Sequence, residues 1–316
     1  MKIAIMGAGG IGAYLGALLA RAGEDVTLIC RGAHLAAIQR EGLKVITREG
    51  SFQVPSVRAT DDPASVGPVD VILQCVKLYD VAATSRAMLP MVGPHTMVIP
   101  VQNGVVAQEE IAAIVGTDKV LGGTVFMSSF VVAPGVVERK ADIQILQYGE
   151  LDGRLSERVR AFEAVGLRAG FTPRPSDNIL GELWGKFILL GGTAPMCCLT
   201  RKPVGVICAD PALRALLRQG MEEIAAIARA KGIRLPDGVI EHGMAFNDKA
   251  KPDTKVSMLQ DLEAGKPLEL EWLNGYAVRE ARRLGVAVPF QEIAYACIRP
   301  WATGTAAEPT RALGNP

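Results

Sequence analysis

The chain has 316 residues, a formal net charge of +1 and 49% hydrophobic residues, enough for two domains with separate cores. A near-neutral chain without long runs of like charge lacks the signature of a protein that binds nucleic acid or a membrane surface, so neither partner is expected. Six scattered cysteines without zinc-ligand spacing, and only three histidines, argue against a metal site.

The first predicted strand and helix flank a glycine-rich turn. The strand covers residues 3–6, the helix covers residues 13–20, and the turn reads Gly7-Ala8-Gly9-Gly10-Ile11-Gly12. A strand, this glycine spacing and a helix together form the fingerprint of dinucleotide-binding proteins. Gly7 permits the tight turn, Gly9 lets the backbone approach a pyrophosphate, and Gly12 lets the helix pack against the strand. These six residues are the predicted cofactor-binding loop, facing phosphates at the positive end of the helix.

The end of the second predicted strand, residues 26–30, bears on the choice of cofactor. NAD-binding folds place an Asp or Glu there to hold the ribose 2′-hydroxyl. Here the strand ends at Cys30 and Arg31, and the next carboxylate along the chain is Glu41. Because the planar guanidinium of Arg31 can pair with a 2′-phosphate, we predict NADP(H) rather than NAD(H). The alternative is that Arg31 is a solvated loop cation.

Strands and helices continue to alternate until a predicted linker over residues 172–176. The later strands are predicted over residues 44–47, 52–57, 69–76, 97–101, 120–126, 131–138, 143–148 and 168–172. Residues 69–76 and 97–101 are apolar enough for central parallel strands, and residues 120–126 are expected to continue the same sheet. We therefore predict a Rossmann-type α/β dinucleotide-binding domain over residues 1–174.

From residue 175 onward the pattern is helical. Helices are predicted over residues 178–199, 211–231, 239–247, 269–284 and 290–298. The first is long and apolar, with interruptions expected at Gly191, Gly192 and Pro195. The prediction is an all-α C-terminal domain over residues 175–316 that binds substrate in a cleft against the first domain.

The sequence favours a cytoplasmic location. A first strand that begins this close to residue 1 leaves no room for a signal peptide. Glycine, proline or polar residues break each apolar stretch before the roughly 18 residues that a membrane span needs. The scattered cysteines are consistent with a reducing compartment.

Three polar residues in apolar surroundings each have a functional and a structural interpretation. Lys77 follows a predicted central strand, at the edge of the sheet where ligands bind. Asn103 follows the next strand, although Asn-Gly is also a common turn. Lys186 begins an apolar helical run, so it either extends to solvent or is held in a cleft with a lowered pKa. On composition alone, the turn and the solvent-exposed lysine are favoured.

The order of these motifs resembles the ketopantoate reductase family over nearly the whole chain. The matching segments are Gly7–Gly12, Arg31, Val76-Lys77, Asn103-Gly104 and residues 182–186, 257–261 and 269–275. The last two segments are the more specific ones. The family has an NADP-binding Rossmann domain and a helical C-terminal domain, and it reduces 2-dehydropantoate to pantoate in coenzyme A biosynthesis.

The resemblance implies a role for each matching residue. Lys186 is implied to be the general acid that protonates the substrate carbonyl oxygen, and Glu269 the carboxylate that orients the substrate hydroxyl. Asn103 and Ser257 are implied to position the substrate. The implied cofactor contacts are the loop residues Gly7, Ala8, Gly9, Gly10, Ile11 and Gly12, with Arg31, Lys77 and Asn103. Taken alone, Glu269 is equally a first-turn helix residue, and Ser257 a helix N-cap.

Two positions depart from the family pattern. The family commonly has asparagines one and two helical turns after the lysine, where this chain has Leu190 and Ala194. An apolar wall discriminates less strongly than groups that hydrogen-bond a hydroxyl. The departure therefore keeps the reaction class and leaves the identity of the 2-oxo acid open.

Three functional hypotheses follow. The first is an NADPH-dependent 2-dehydropantoate reductase, the second is a paralogous reductase of another 2-oxo acid, and the third is a non-enzymatic NADP(H)-binding sensor. A sensor would need none of Asn103, Lys186, Ser257 and Glu269, so their joint presence argues against it. Dimers are frequent in the family, which makes a homodimer an expectation from the resemblance.

Overall fold

The computed structural model of the chain describes residues 1–304, and the chain divides into two compact units, Met1–Leu183 and Trp184–Pro316. Residues 305–316, at the end of the predicted second domain, lie outside the described residues. The first unit combines parallel strands with helices, and the described part of the second is helical. The predicted fold class, an α/β dinucleotide-binding domain followed by an all-α domain, is confirmed.

A five-stranded parallel sheet organises the first unit. Its strands, in spatial order, are β5 (Arg58–Thr60), β2 (Asp25–Ile29), β1 (Lys2–Met6), β6 (Val69–Gln74) and β7 (Val92–Pro100). All neighbouring pairs in this sheet run parallel. Ile3, Ile5, Leu28 and Leu73 are fully buried, as expected for apolar strands that are covered on both faces. The associated helices are α1 (Gly10–Arg21), α2 (Gly32–Glu41), α3 (Val81–Ala87) and α4 (Ala107–Val115).

Two smaller sheets complete the first unit. One contains β3 (Leu43–Thr47), β4 (Gly50–Val54), β9 (Ser129–Ala133) and β10 (Val136–Arg139), in the order β4-β3-β10-β9. The other contains β8 (Gly122–Phe126), β11 (Ile145–Gly149) and β12 (Thr172–Pro175), in the order β12-β11-β8.

The prediction that residues 120–126 continue the parallel sheet is wrong. Strand β8 pairs antiparallel with β11, and an isolated parallel bridge between Val98 and Val120 joins this segment to β7. The next rung of that ladder would involve Pro100, which has no N–H to donate. The chain therefore leaves the parallel sheet and begins a new one.

The strand predicted at residues 168–172 is also placed wrongly. Arg168 belongs to helix α5 (Glu157–Ala169), which Ser156 caps and which ends at Gly170 in a left-handed conformation with φ 87°. Strand β12 then occupies most of the predicted linker, and its partner in the sheet is β11. Pro173 and Pro175 are tolerated because β12 is an edge strand.

Seven α-helices follow within the described residues. They are α6 (Ile179–Thr200), α7 (Val204–Ala209), α8 (Pro211–Ala230), α9 (Val239–Asp248), α10 (Ser257–Glu263), α11 (Asn274–Leu284) and α12 (Pro289–Ile298). Contrary to the predicted interruption, α6 runs through Gly191, Gly192 and Pro195. The two glycines permit close packing on α8, since a Cβ atom at Gly192 would lie 2.6 Å from the Leu217 carbonyl oxygen.

Helix α6 is long and apolar enough, by length and composition alone, to cross a membrane. However, 67% of its most apolar window is buried within the protein. Such burial is typical of the core helix of a globular protein.

Candidate active site

The glycine-rich turn between β1 and α1 is fixed by close backbone contacts. Gly7 has φ +95°, and a Cβ atom on it would lie 2.6 Å from Val76 Cγ1. A Cβ atom on Gly12 would lie 2.4 Å from the Gly7 carbonyl oxygen. The N–H groups of Gly7 and Ala8 donate to the Ile29 carbonyl at 3.1 and 2.9 Å, which ties the turn to the end of β2.

Gly9 differs from these glycines, because a Cβ atom there would meet nothing within 4 Å. It is the N-cap of α1, where no side chain caps the helix and no acidic residue occupies the first turn. The N–H groups of the first turn have no intrahelical acceptors, and the positive end of the helix dipole is uncompensated. This space and this helix end fit a dinucleotide pyrophosphate.

The other predicted cofactor residues lie at the same edge of the parallel sheet. Arg31 follows β2, is exposed and is the N-cap residue of α2. Lys77 follows β6 and Asn103 follows β7, and both are half-buried. Because the strand order is β2-β1-β6-β7, Arg31 lies on one side of the glycine turn, and Lys77 and Asn103 lie on the other. The structure thus assembles all the predicted cofactor contacts along one sheet edge.

Gln102 is a positioning residue that the sequence analysis missed. It is buried, and its side-chain amide donates to the Gln74 carbonyl at 2.9 Å and to the Val76 carbonyl at 3.1 Å. These bonds join the chain just before Lys77 to the chain just before Asn103. The available signal was a glutamine placed directly after an apolar strand.

In the second unit, aromatic packing fixes the turn of α6 that carries Lys186. The Trp184 and Phe187 rings lie 5.7 Å apart between centroids, and each packs on Tyr276, at 6.3 and 6.2 Å. Tyr276 lies in the first turn of α11. The contacts therefore hold Lys186 near the segment that precedes α11. That segment carries Glu269.

Glu269 is buried and precedes α11 rather than lying in it. The helix predicted over residues 269–284 begins at Asn274, so the first-turn interpretation of Glu269 is wrong. The N–H groups of Trp272 and Leu273 donate to the Glu269 carbonyl at 3.1 and 3.2 Å, and Gly275 N–H donates to Leu270 at 2.9 Å. These bonds form a compact turn instead of a regular helix.

Lys186 is half-buried, and its electrostatic environment is unusual for a lysine. Burial of the ammonium lowers the pKa of Lys186 from its ordinary value to about 8, and the carboxylate of Glu269 opposes this by raising it. A lysine with such a pKa is still mostly protonated at neutral pH and donates a proton more readily than an exposed one. The burial of Lys186 favours a lysine held in the protein with a lowered pKa over one that extends into solvent.

Ser257 is the first residue of α10 and is exposed. The N-cap of that helix is Val256, without a side-chain capping bond, so the N-cap interpretation of Ser257 is wrong. Within the second unit, the structure brings Lys186 and Glu269 together electrostatically and leaves the Ser257 hydroxyl on the surface of α10.

Comparisons with known proteins identify the family and the fold of the chain. The family model "Ketopantoate reductase PanE/ApbA" matches residues 3–153, and "Ketopantoate reductase PanE/ApbA C terminal" matches residues 178–302. A 2-dehydropantoate 2-reductase of Mesorhizobium japonicum is 36% identical over 307 residues, covering 90% of this chain and 92% of its own. These matches confirm the resemblance identified from the sequence.

Solved structures give the same result. A PanE/ApbA family ketopantoate reductase from Ralstonia eutropha JMP134 has a TM-score of 0.88 at 33% identity, covering 96% of this chain and 98% of its own. A D-mandelate dehydrogenase solved with NADH and anilino(oxo)acetate also has a TM-score of 0.88, at 20% identity and with coverage of 96% and 98%. The second similarity is one of fold alone.

Proposed function

We propose that this chain, which belongs to the ketopantoate reductase family, reduces 2-dehydropantoate to pantoate with NADPH, in pantothenate and coenzyme A biosynthesis. Family membership itself makes the chain an oxidoreductase that acts on a CH–OH group, with a nicotinamide dinucleotide as cofactor and a small molecule as substrate. We assign cofactor binding to residues 1–174, and substrate binding and catalysis to residues 175–316. The proposal places the reaction in the cytoplasm, with a homodimer as the assembly to test.

The observation that carries the proposal is the Lys186 and Glu269 pair. Reduced nicotinamide, when bound, supplies the hydride for the substrate carbonyl carbon. Lys186 offsets the negative charge that develops on the carbonyl oxygen and donates a proton to it. A pKa of about 8 suits this task, because the group is charged at neutral pH and yields its proton at modest cost. Glu269 accepts a hydrogen bond from the substrate hydroxyl and helps to orient the substrate near Lys186.

The choice of NADPH rests on Arg31. Its guanidinium is exposed beyond the end of β2, where a ribose 2′-phosphate is expected in this type of fold. Lys77 and Asn103 contribute further contacts at the same sheet edge, and the proposal keeps the substrate-positioning roles that the resemblance implies for Asn103 and for Ser257.

A second candidate is the reduction of another 2-oxo acid, and one observation favours it. Lys186, Leu189 and Leu190 are half-buried on the same side of α6, and residues 191–198 are all buried. Ala194, two turns after Lys186, is 4% exposed. Between Lys186 and residue 198 of α6, the half-buried side chains are therefore those of two leucines, which offer no hydrogen-bonding group.

The test compares two substrates that differ by one hydroxyl. Purified protein and NADPH are given 2-dehydropantoate or 3,3-dimethyl-2-oxobutanoate, which lacks the terminal hydroxyl, and initial rates of NADPH oxidation are measured. A kcat/KM for 2-dehydropantoate of about 10⁴ M⁻¹s⁻¹ or more, well above that of the analogue, supports the first candidate. Equal or faster turnover of the analogue favours the second, and turnover of neither rejects the first candidate and rejects the analogue as the substrate of the second.

A further inference from the structure

Strand β5 brings a second charged residue to the end of β2. The two strands pair in parallel register, with Ile29 opposite Thr60, and Cys30 N–H donates to the Thr60 carbonyl at 3.1 Å. Continuing that register places Asp61 beside Cys30, next to Arg31. No acidic residue follows β2 directly in the sequence, but the neighbouring strand β5 brings the Asp61 carboxylate to the end of β2.

Asp61 and Arg31 are both exposed, and within residues 1–304 neither side chain has a hydrogen-bond or ion-pair partner. Nearby charges differ in this respect. The Asp62 carboxylate accepts from Ala64 N–H at 2.9 Å, and Arg58 pairs with Asp25. Asp61 and Arg31 are therefore the two charges at this corner that remain available to a ligand.

An electrostatic effect on Cys30 supports the closeness of Asp61. Burial raises the pKa of the Cys30 thiol to about 11, and the Asp61 carboxylate adds to that increase. A carboxylate that disfavours a thiolate at Cys30 also disfavours other anions at the same corner of the sheet.

We propose that Asp61 and Arg31 together set the cofactor preference, with Asp61 accepting a hydrogen bond from a ribose 2′-hydroxyl and repelling a 2′-phosphate. This inference rests on the proposed function, in which the adenosine ribose lies beyond the end of β2. Arg31 favours NADPH through its planar guanidinium. Asp61 offsets part of that advantage, so the chain binds NADH as well, with moderate discrimination.

The test is a fluorescence titration of the full-length protein with NADPH and with NADH, in the absence of substrate. Replacement of the carboxylate by an amide in Asp61→Asn is expected to tighten NADPH and weaken NADH, raising the ratio of the NADH to the NADPH Kd about tenfold. Adenosine 2′,5′-bisphosphate, which carries the 2′-phosphate without the nicotinamide, should also bind the variant more tightly.

Asp62→Asn is the matched control. It also removes one negative charge, at the residue next to Asp61, and the Asp62 carboxylate already accepts a hydrogen bond from a backbone N–H group. The control variant should change the ratio of the NADH Kd to the NADPH Kd less than twofold.

Two results overturn the inference while leaving NADPH binding intact: a change of this ratio below twofold in Asp61→Asn, or an equal change in both variants. Wild-type protein that binds neither dinucleotide would instead reject the proposed function, and the inference with it. Melting curves verify folding, which the exposure of Asp61 should preserve.

Discussion

The carboxylate of Glu269 raises the pKa of the Lys186 ammonium, against the burial that lowers it to about 8. The two groups come from distant parts of the sequence, α6 and the turn before α11. Burial brings the titration of Lys186 toward neutral pH, and the Glu269 carboxylate limits that decrease. The pH dependence of the reaction should report directly on this pair.

We expect kcat/KM for reduction to be level below pH 8 and to fall above it, because only protonated Lys186 can donate. Above the pKa, the protonated fraction drops about tenfold per pH unit. Glu269→Gln removes the influence that raises the pKa, so the falling limb should move to lower pH. Glu271→Gln is the control, since Glu271 pairs with Arg279 and Tyr295. A limb that stays in place in Glu269→Gln would contradict the assigned coupling.

Gly9 and Gly12 should respond differently to alanine. Gly9 has φ −74°, which alanine adopts readily, and a methyl group there meets no protein atom within 4 Å. Gly9→Ala should therefore preserve the melting temperature and weaken NADPH binding at least tenfold, because the methyl group occupies the space assigned to the pyrophosphate. Gly12→Ala should lower stability, since its methyl group would lie 2.4 Å from the Gly7 carbonyl oxygen. Calorimetric melting and dinucleotide titration test both variants, and unchanged NADPH affinity in Gly9→Ala would remove this loop from the cofactor site.

Arg31→Ala should weaken NADPH far more than NADH. A charge-assisted contact to a 2′-phosphate is worth about 1.5–3 kcal/mol, or roughly 10- to 150-fold in Kd. NADH lacks this phosphate, so its affinity should change little. Arg40→Ala is a suitable control, because Arg40 is exposed in α2 and pairs with Glu41. An unchanged ratio of the two affinities would mean that Arg31 is only a solvated cation.

The features that the sequence predicts well are those encoded by neighbouring residues. The turn from Gly7 to Gly12 lies between a contiguous strand and helix, so one short segment contains the whole motif. Pro134 and Gly135, another turn signal contained in one short segment, lie between the antiparallel strands β9 and β10.

The features that the sequence predicts poorly depend on which strands become neighbours. Strand β8 leaves the parallel sheet, and β12 forms in a proline-rich segment because β11 offers it an edge. The sequence does not indicate Asp61 for the same reason, since Asp61 reaches the end of β2 only because β5 pairs with β2. The Lys186 and Glu269 pair was implied by family resemblance, and local pattern alone favoured an ordinary surface lysine.

The central claim is that Lys186 donates the proton in a nicotinamide-dependent reduction, and the most direct measurement compares kcat for wild-type protein and Lys186→Ala with 2-dehydropantoate and NADPH. Loss of the acid should lower kcat about 10²- to 10⁴-fold. The NADPH Kd should be preserved, because the residues to which we assign cofactor binding lie within residues 1–174. Lys249→Ala, which alters an exposed lysine at the end of α9, should retain full activity. A kcat for Lys186→Ala equal to that of the wild type would contradict the account.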